Sequence, residues 1–183
     1  MVGLGPTILP SGCADVRGWH DRRDKPEDDN AQRILARAYV RNRSNIMQLN
    51  PYLTFNGNCE AAFKFYAKVL GGKIEAMMPF KGTPAEKHMP AGWGKKILHA
   101  SLVVEGGNVL MGSDAGGQQY EPAKGISVTL VFKDPKEGAR IFKALSAKGK
   151  VTMPFQETFW ASGFGALVDQ FGTPWMINCN KAE

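Results

Sequence analysis

Histidine, the side chain best suited to acid–base and metal chemistry near neutral pH, is scarce in this chain. It holds three histidines, His20, His88 and His99. His99 falls in a segment predicted to be a strand, with Ser101 and Val103 on its face, which makes it the best single candidate for a general base or a polar anchor. The same placement also suits a core histidine bonded to a neighbouring carbonyl. Glu157, just before Phe159-Trp160, is the acid placed to pair with His99 at the mouth of a pocket, or else a solvated loop acid. Asp169 opens Asp169-Gln170-Phe171-Gly172, where a short carboxylate holds a turn by accepting backbone N–H groups. Cys59 stands near a helix start, which lowers a thiol pKa, whereas burial would raise it. There is no Ser/His/Asp elbow and no phosphate-binding loop. Gly71-Gly72 ends a helix instead of opening one, so the glycine turn of a dinucleotide or S-adenosylmethionine site is missing.

A second set of residues suits binding more than catalysis. Phe80, Met111, Met153, Phe155, Phe159, Trp160, Trp175 and Met176 fall on strands or the loops beside them. Lining one concavity, they would make it apolar and adaptable, with His99, Gln156 and Asn178 fixing a ligand's orientation. Alternatively they fill the sheet cores and a subunit interface. Trp160 is the strongest of them, because Ala161-Ser162-Gly163 offers so large a side chain little local core to join. The substrate-binding candidates are therefore His99, Met111, Phe155, Trp160 and Trp175.

The elements that must position these residues come as a duplicated unit. Phe55 to Lys73 returns, displaced by 77 positions, as Phe132 to Lys150, with Phe55/Phe132, Glu60/Glu137, Ala62/Ala139, Phe65/Phe142, Ala67/Ala144, Gly72/Gly149 and Lys73/Lys150 identical. A period this long suits a supersecondary unit used twice in one domain. In the first copy, Leu49 to Phe55 reads as a strand, and Asn58 or Asn56 as the side-chain cap of a helix from Cys59 to Leu70. Lys73 to Phe80 is a second strand, 81 to 95 a mobile Gly/Pro excursion that could act as a lid, and Ile97 to Glu105 and Asn108 to Gly112 a pair joined at Gly106-Gly107. A linker around Asp114 to Gly125 leads to the second copy. Its elements are Ile126 to Phe132, a helix from Pro135 to about Lys148, and strands Lys150 to Met153, Phe164 to Val168 and Pro174 to Cys179. The order in both is βαβββ: module one spans 47–114 and module two 125–180.

Composition bounds the partners. The chain has 183 residues, is 43% hydrophobic and carries a net charge of +6. No apolar run approaches the roughly 20 residues needed to span a bilayer, so no membrane role is expected. The lysines are spread singly and not interleaved with aromatics, which argues against a nucleic-acid partner. Cys13, Cys59 and Cys179 are too few and scattered for a disulfide framework, and a cytoplasmic location is expected. Residues 1–46 hold seven of the eight arginines. This extension is expected to be disordered, or to form one short amphipathic helix around Ile34, Leu35, Ala38 and Tyr39; 47–183 is the folded domain.

Phe65-Tyr66-Ala67-Lys68-Val69-Leu70-Gly71 closing the first helix, and Asp169-Gln170-Phe171-Gly172-Thr173-Pro174-Trp175 before the last strand, resemble the vicinal oxygen chelate superfamily of glyoxalases, bleomycin resistance proteins and dioxygenases. Asn50-Pro51-Tyr52-Leu53-Thr54-Phe55-Asn56-Gly57-Asn58-Cys59 and Met153-Pro154-Phe155-Gln156-Glu157-Thr158-Phe159-Trp160 look like its PhnB-like branch, some members of which carry a 3-demethylubiquinone methyltransferase label. The resemblance covers about Met47 to Asn180 and implies an α+β fold of two βαβββ modules forming curled mixed sheets, in a homodimer whose cups a partner chain completes. In metal-dependent members four His or Glu ligands come from the first and fourth strands of the modules. Alignment on the two motifs places those positions at Pro51, Val128, Leu110 and Met176, or with a one-residue slip at Tyr52, Thr129, Met111 and Ile177. None of these is a His or Glu, so no metal site and no cofactor are expected. The expected function is binding of a small organic ligand in a cup. The alternatives are a lyase, dioxygenase or resistance transferase using His99 and Glu157, and a sequestering or scaffold protein without turnover.

Overall fold

A computed structural model of the protein describes residues 47–116 and 120–181; the extension 1–46 and its expected helix lie outside the described residues. The strands and helices form two modules of the same element order. In the first, β1 (Tyr52–Phe55) is followed by α1 (Cys59–Leu70), β2 (Lys73–Pro79), β3 (Ile97–Val103) and β4 (Val109–Asp114). In the second, β5 (Val128–Phe132) is followed by α2 (Pro135–Ser146), β6 (Lys150–Gln156), β7 (Ala161–Val168) and β8 (Pro174–Asn180). Each module is one four-stranded mixed sheet, ordered β1-β4-β3-β2 and β5-β8-β7-β6. The outer pairs β1/β4 and β5/β8 run parallel and the rest antiparallel.

Some of the repeated residues are those the packing requires, while Glu60, Lys73 and Lys150 are exposed. Phe55, Ala62 and Phe142 are buried in one continuous core that spans both modules. Gly72 and Gly149, just past each helix, lie where a Cβ would press on the backbone carbonyls of Val103 and Val168, so the return strand can pair closely only without a side chain. Gly71 takes the left-handed conformation (φ 68°) that stops α1.

Several boundaries differ from expectation for visible reasons. β1 starts at Tyr52 and not Leu49, because Leu49 is 96% exposed and has no neighbouring strand. β4 runs on to Asp114, which therefore belongs to the sheet and not to the linker. Asp114 is buried; its Oδ1 accepts from Cys59 N (3.0 Å) and its Oδ2 from Ile97 N (2.7 Å). That carboxylate does the capping expected of Asn58 or Asn56, since Asn58 makes no side-chain cap bond. In α2 the cap is local: Asp134 Oδ1 accepts from Lys136 N at 2.8 Å.

The excursion after β2 is an ordered extension of the β2–β3 hairpin. Phe80 is buried, Phe80 N donates to Lys96 O (2.9 Å) and Lys81 N to Gly94 O (2.8 Å), and short helical turns cover Pro84–His88 and Trp93–Lys95. Lys96 Nζ donates to Gly57 O at 2.6 Å, tying its base to the loop before α1.

Candidate functional site

Each sheet buries one face under the helices and leaves the other open. On β1 and β4, Leu53, Phe55, Leu110, Gly112 and Asp114 alternate inward; Tyr52, Thr54, Met111 and Ser113 take the open face. Register extends this across the sheet: Tyr52 is opposite Met111, Met111 opposite Ser101, and His99 opposite Met78. In the second sheet Thr129 is opposite Met176, Met176 opposite Ala166, and Ala166 opposite Met153. The next row is Val131, Asn178, Phe164 and Gln156.

His99 is half-buried on the first open face and lies against Tyr52, with ring centroids 5.9 Å apart at 26° and a long 3.4 Å contact between Nδ1 and the phenol oxygen. Met111 is beside Tyr52 in register. Trp160 is on the second open face, edge-to-face on Phe164 at 5.6 Å. Glu157 does not join His99: its carboxylate meets Lys181 Nζ at 3.1 Å in an exposed pair worth little.

Phe155 and Trp175 lie on the helix side, not on an open face. The Phe155 ring packs on Phe142 (5.6 Å) in the space left by Gly163 and Gly138. Slips in the β6–β7 register at Val151/Met153 and Met153/Gln156 set which side its ring takes. Trp175 is 1% exposed, alternates with buried Ile177 and Cys179, and donates from Nε1 to Asp169 Oδ2 at 2.8 Å.

Asp169 anchors more than its own turn. Oδ1 accepts from Phe171 N (2.8 Å) and Thr173 N (3.0 Å), and Oδ2 accepts from Tyr66 of the other module (2.7 Å) as well as from Trp175. Thr173 Oγ1 lies 3.0 Å from the same phenol oxygen. Burial first, then the Asp169 charge, drives the Tyr66 phenol far above its ordinary pKa, so it stays a donor. Cys59, which the helix start alone would acidify, is instead pushed up to about 12 by burial and by Asp114.

Between the modules runs a cleft of about 630 Å³, bordered by Asn50, Pro51, Val109 and Leu110 on one side and the whole of β5 on the other, with Trp175 and Ile141 reaching it from the core.

Tyr52 and Met111 in the first sheet and Thr129 and Met176 in the second are directly opposed across β1/β4 and β5/β8. Of the two alignments read from the sequence, the one-residue slip names Tyr52, Thr129 and Met111, whereas the first names Pro51, Val128 and Leu110, of which Leu110 is buried on the helix side. Val103 pairs with Val109 and Val168 with Pro174, so the turns before β4 and β8 are equally long and the fourth strands correspond by 65 positions (176 − 111), with Gly172 matching Gly107 and not Gly106. A phenol, a hydroxyl and two thioethers do not fit a hard or borderline divalent ion. Among the described residues, no three His, Cys, Asp or Glu side chains converge as a metal-binding group, and no helix is long and apolar enough to cross a membrane.

Comparison with known proteins agrees with this architecture. Residues 47–178 match the family described as 3-demethylubiquinone-9 3-methyltransferase. Protein YjdN of Escherichia coli is 37% identical over 145 residues, covering 75% of this chain and 98% of YjdN. The crystal structure of protein PA1353 from Pseudomonas aeruginosa shares 46% identity over 75% of this chain and all of its own, with a TM-score of 0.68. A PhnB protein from Bacillus cereus (20% identity, 73% of this chain and 99% of its own, TM-score 0.62) shares the fold. The matched span and the relatives together establish that the chain belongs to the 3-demethylubiquinone-9 3-methyltransferase family.

Proposed function

We propose that this protein binds a small organic ligand on the open faces of its two sheets, without the hard divalent metal used by chelating members of the superfamily. The observation that carries this is the register quartet Tyr52, Met111, Thr129 and Met176. Where other members need anionic or imidazole donors, this chain presents neutral, mostly apolar groups, a lining that holds ligands through contact area and a few polar bonds. Tyr52, Met78, Val131, Trp160 and Met176 expose 37–59% of their surface on these faces. That amount of open apolar surface supports a homodimer in which a partner chain closes each cup. A cytoplasmic protein with free, buried Cys59 and Cys179 is consistent with this reading.

A second reading, turnover, rests on His99 beside Tyr52. An imidazole and a phenol on one open face are the parts of an acid–base pair. Glu157, held by Lys181, is not needed for it.

A thermal-shift screen of neutral and charged small organic compounds, run with and without added zinc, nickel, manganese and iron(II), tests the proposal. Stabilisation by a compound irrespective of metal is expected. Ligand effects or turnover that appear only with a divalent ion would overturn the metal-free reading, and metal-free turnover abolished by His99→Ala would establish the second.

A further inference from the structure

We propose that the open face of the second sheet is by itself a binding site for a small neutral ring with hydrogen-bonding atoms on opposite edges. This rests on the reading that the protein binds an organic ligand, and adds its place and chemical class.

The first observation is a fixed aromatic platform. Trp160 is in the connection from β6 to β7, where Thr158 N donates to Ala161 O (3.0 Å) and Ala161 N to Thr158 Oγ1 (3.1 Å), closing a tight turn. Its indole packs edge-to-face on Phe164 at 5.6 Å and has the exposed Phe159 ring beside it at 4.5 Å, and 47% of the residue stays exposed. An indole held in place with an open face stacks on a flat ring at little cost in conformational entropy.

The second observation is what flanks that platform. Phe164 is opposite Gln156 on β6 and Asn178 on β8. Two carboxamides therefore stand on either side of it, their backbones about 9.6 Å apart, two strand spacings. Each carries both donors and an acceptor. Asn178 is oriented by donating from Nδ2 to Asn180 Oδ1 at 2.8 Å, which leaves its carbonyl oxygen and second N–H free for a ligand.

The third observation is charge. Neither row of this face, Val131-Asn178-Phe164-Gln156 or Thr129-Met176-Ala166-Met153, contains an ionisable side chain. Glu157, next in sequence after Gln156, is paired with Lys181. A charged ligand seated here would lose hydration with no counter-charge, whereas a neutral ring would not. The first sheet, with His99 and Tyr52, lacks such an aromatic and carboxamide row.

Isothermal titration with 7-methoxycoumarin, a neutral ring with oxygen acceptors at both ends, tests the site against 7-methoxycoumarin-3-carboxylate, the same ring carrying a charge. Saturable binding of the neutral probe is expected, with the anion at least about tenfold weaker. Trp160→Ala should weaken it about tenfold and Gln156→Leu or Asn178→Leu about fivefold, while Trp160→Phe stays within about twofold. Equal affinity in Trp160→Ala and the parent, a preference for the anion, or no binding of the neutral probe each overturn the proposal. If the neutral probe fails while other compounds still stabilise the protein, only this inference falls; if nothing binds, the broader reading falls with it. Loss of a dimer in Trp160→Ala by size exclusion, with no probe binding to the parent, assigns the face to a subunit contact and likewise overturns it.

Discussion

The phenol of Tyr66 on α1 donates to Oδ2 of Asp169 at 2.7 Å across 103 residues of sequence, so the first module's helix is bonded to the turn that launches the second module's last strand. Trp175 shares that oxygen, and the Tyr66 and Trp175 rings meet at 5.3 Å. The first helix and the turn before β8 are thereby joined at one buried carboxylate, which accepts from Tyr66 of the other module and from Phe171, Thr173 and Trp175 beside it.

Tyr66→Phe should keep the ring packing and remove one donor to that buried carboxylate. A loss of about 1.5–3 kcal/mol in unfolding free energy is expected, the value of a hydrogen bond to a charged group. Urea denaturation with an unchanged m-value checks it; a change under about 0.5 kcal/mol would mean that the tie between modules does not matter energetically.

Alkaline pH should destabilise the protein through groups that stay protonated when folded. Burial, then Asp114, raises Cys59 from 9.0 to about 12, and Tyr66 is raised as well. A group whose folded pKa exceeds its unfolded value gives stability that is fully present below the unfolded pKa and lost as pH rises toward the folded one. Stability should therefore hold to about pH 9 and fall above it, and Cys59→Ala should flatten that fall by about 1.4 kcal/mol per pH unit. Urea midpoints from neutrality upward test this, and a parallel decline in the variant would contradict it.

Gly138→Ala reverses the usual rule for helices. Alanine in a helix interior is normally better by about 1 kcal/mol, but here the added methyl would overlap Cys179 Sγ beneath α2. A net loss of about 1–3 kcal/mol is expected, with much of it recovered in the double variant with Cys179→Ala. Thermal unfolding of the four proteins of the cycle decides it; a stabilised single variant would show that the core yields at this point.

The parts of this fold that were legible in the sequence are those set by local pattern or by the repeat. Gly72 and Gly149 are crowded in the same way in the two modules, and Phe55 and Phe132 both face the core, the first buried and the second partly buried. Asp169 was recognisable as a turn residue, but not as the acceptor for Tyr66 and Trp175, because those donors are brought to it only by packing. Asp114 looked like linker for the same reason: its partners, Cys59 N and Ile97 N, lie 55 and 17 residues away. Strict alternation through Trp175, Ile177 and Cys179 would have assigned Trp175 to the core. Phe155 could not be placed so easily, since β6 slips register twice. At the site, His99 and Trp160 were read from composition and position. Tyr52 as the partner of His99, and Phe164 as the brace of Trp160, needed cross-strand register that no local pattern encodes.

In the proposed function Tyr52, Met111, Thr129 and Met176 form a neutral binding surface and hold no hard divalent metal. Metal content by plasma mass spectrometry tests it most directly, on tag-free protein incubated with nickel, zinc, manganese and iron(II) and then thoroughly desalted. The expected result is no stoichiometric retention of any of the four, in the parent and in His99→Ala alike. About one metal ion per chain or per dimer, lost in His99→Ala, would contradict it.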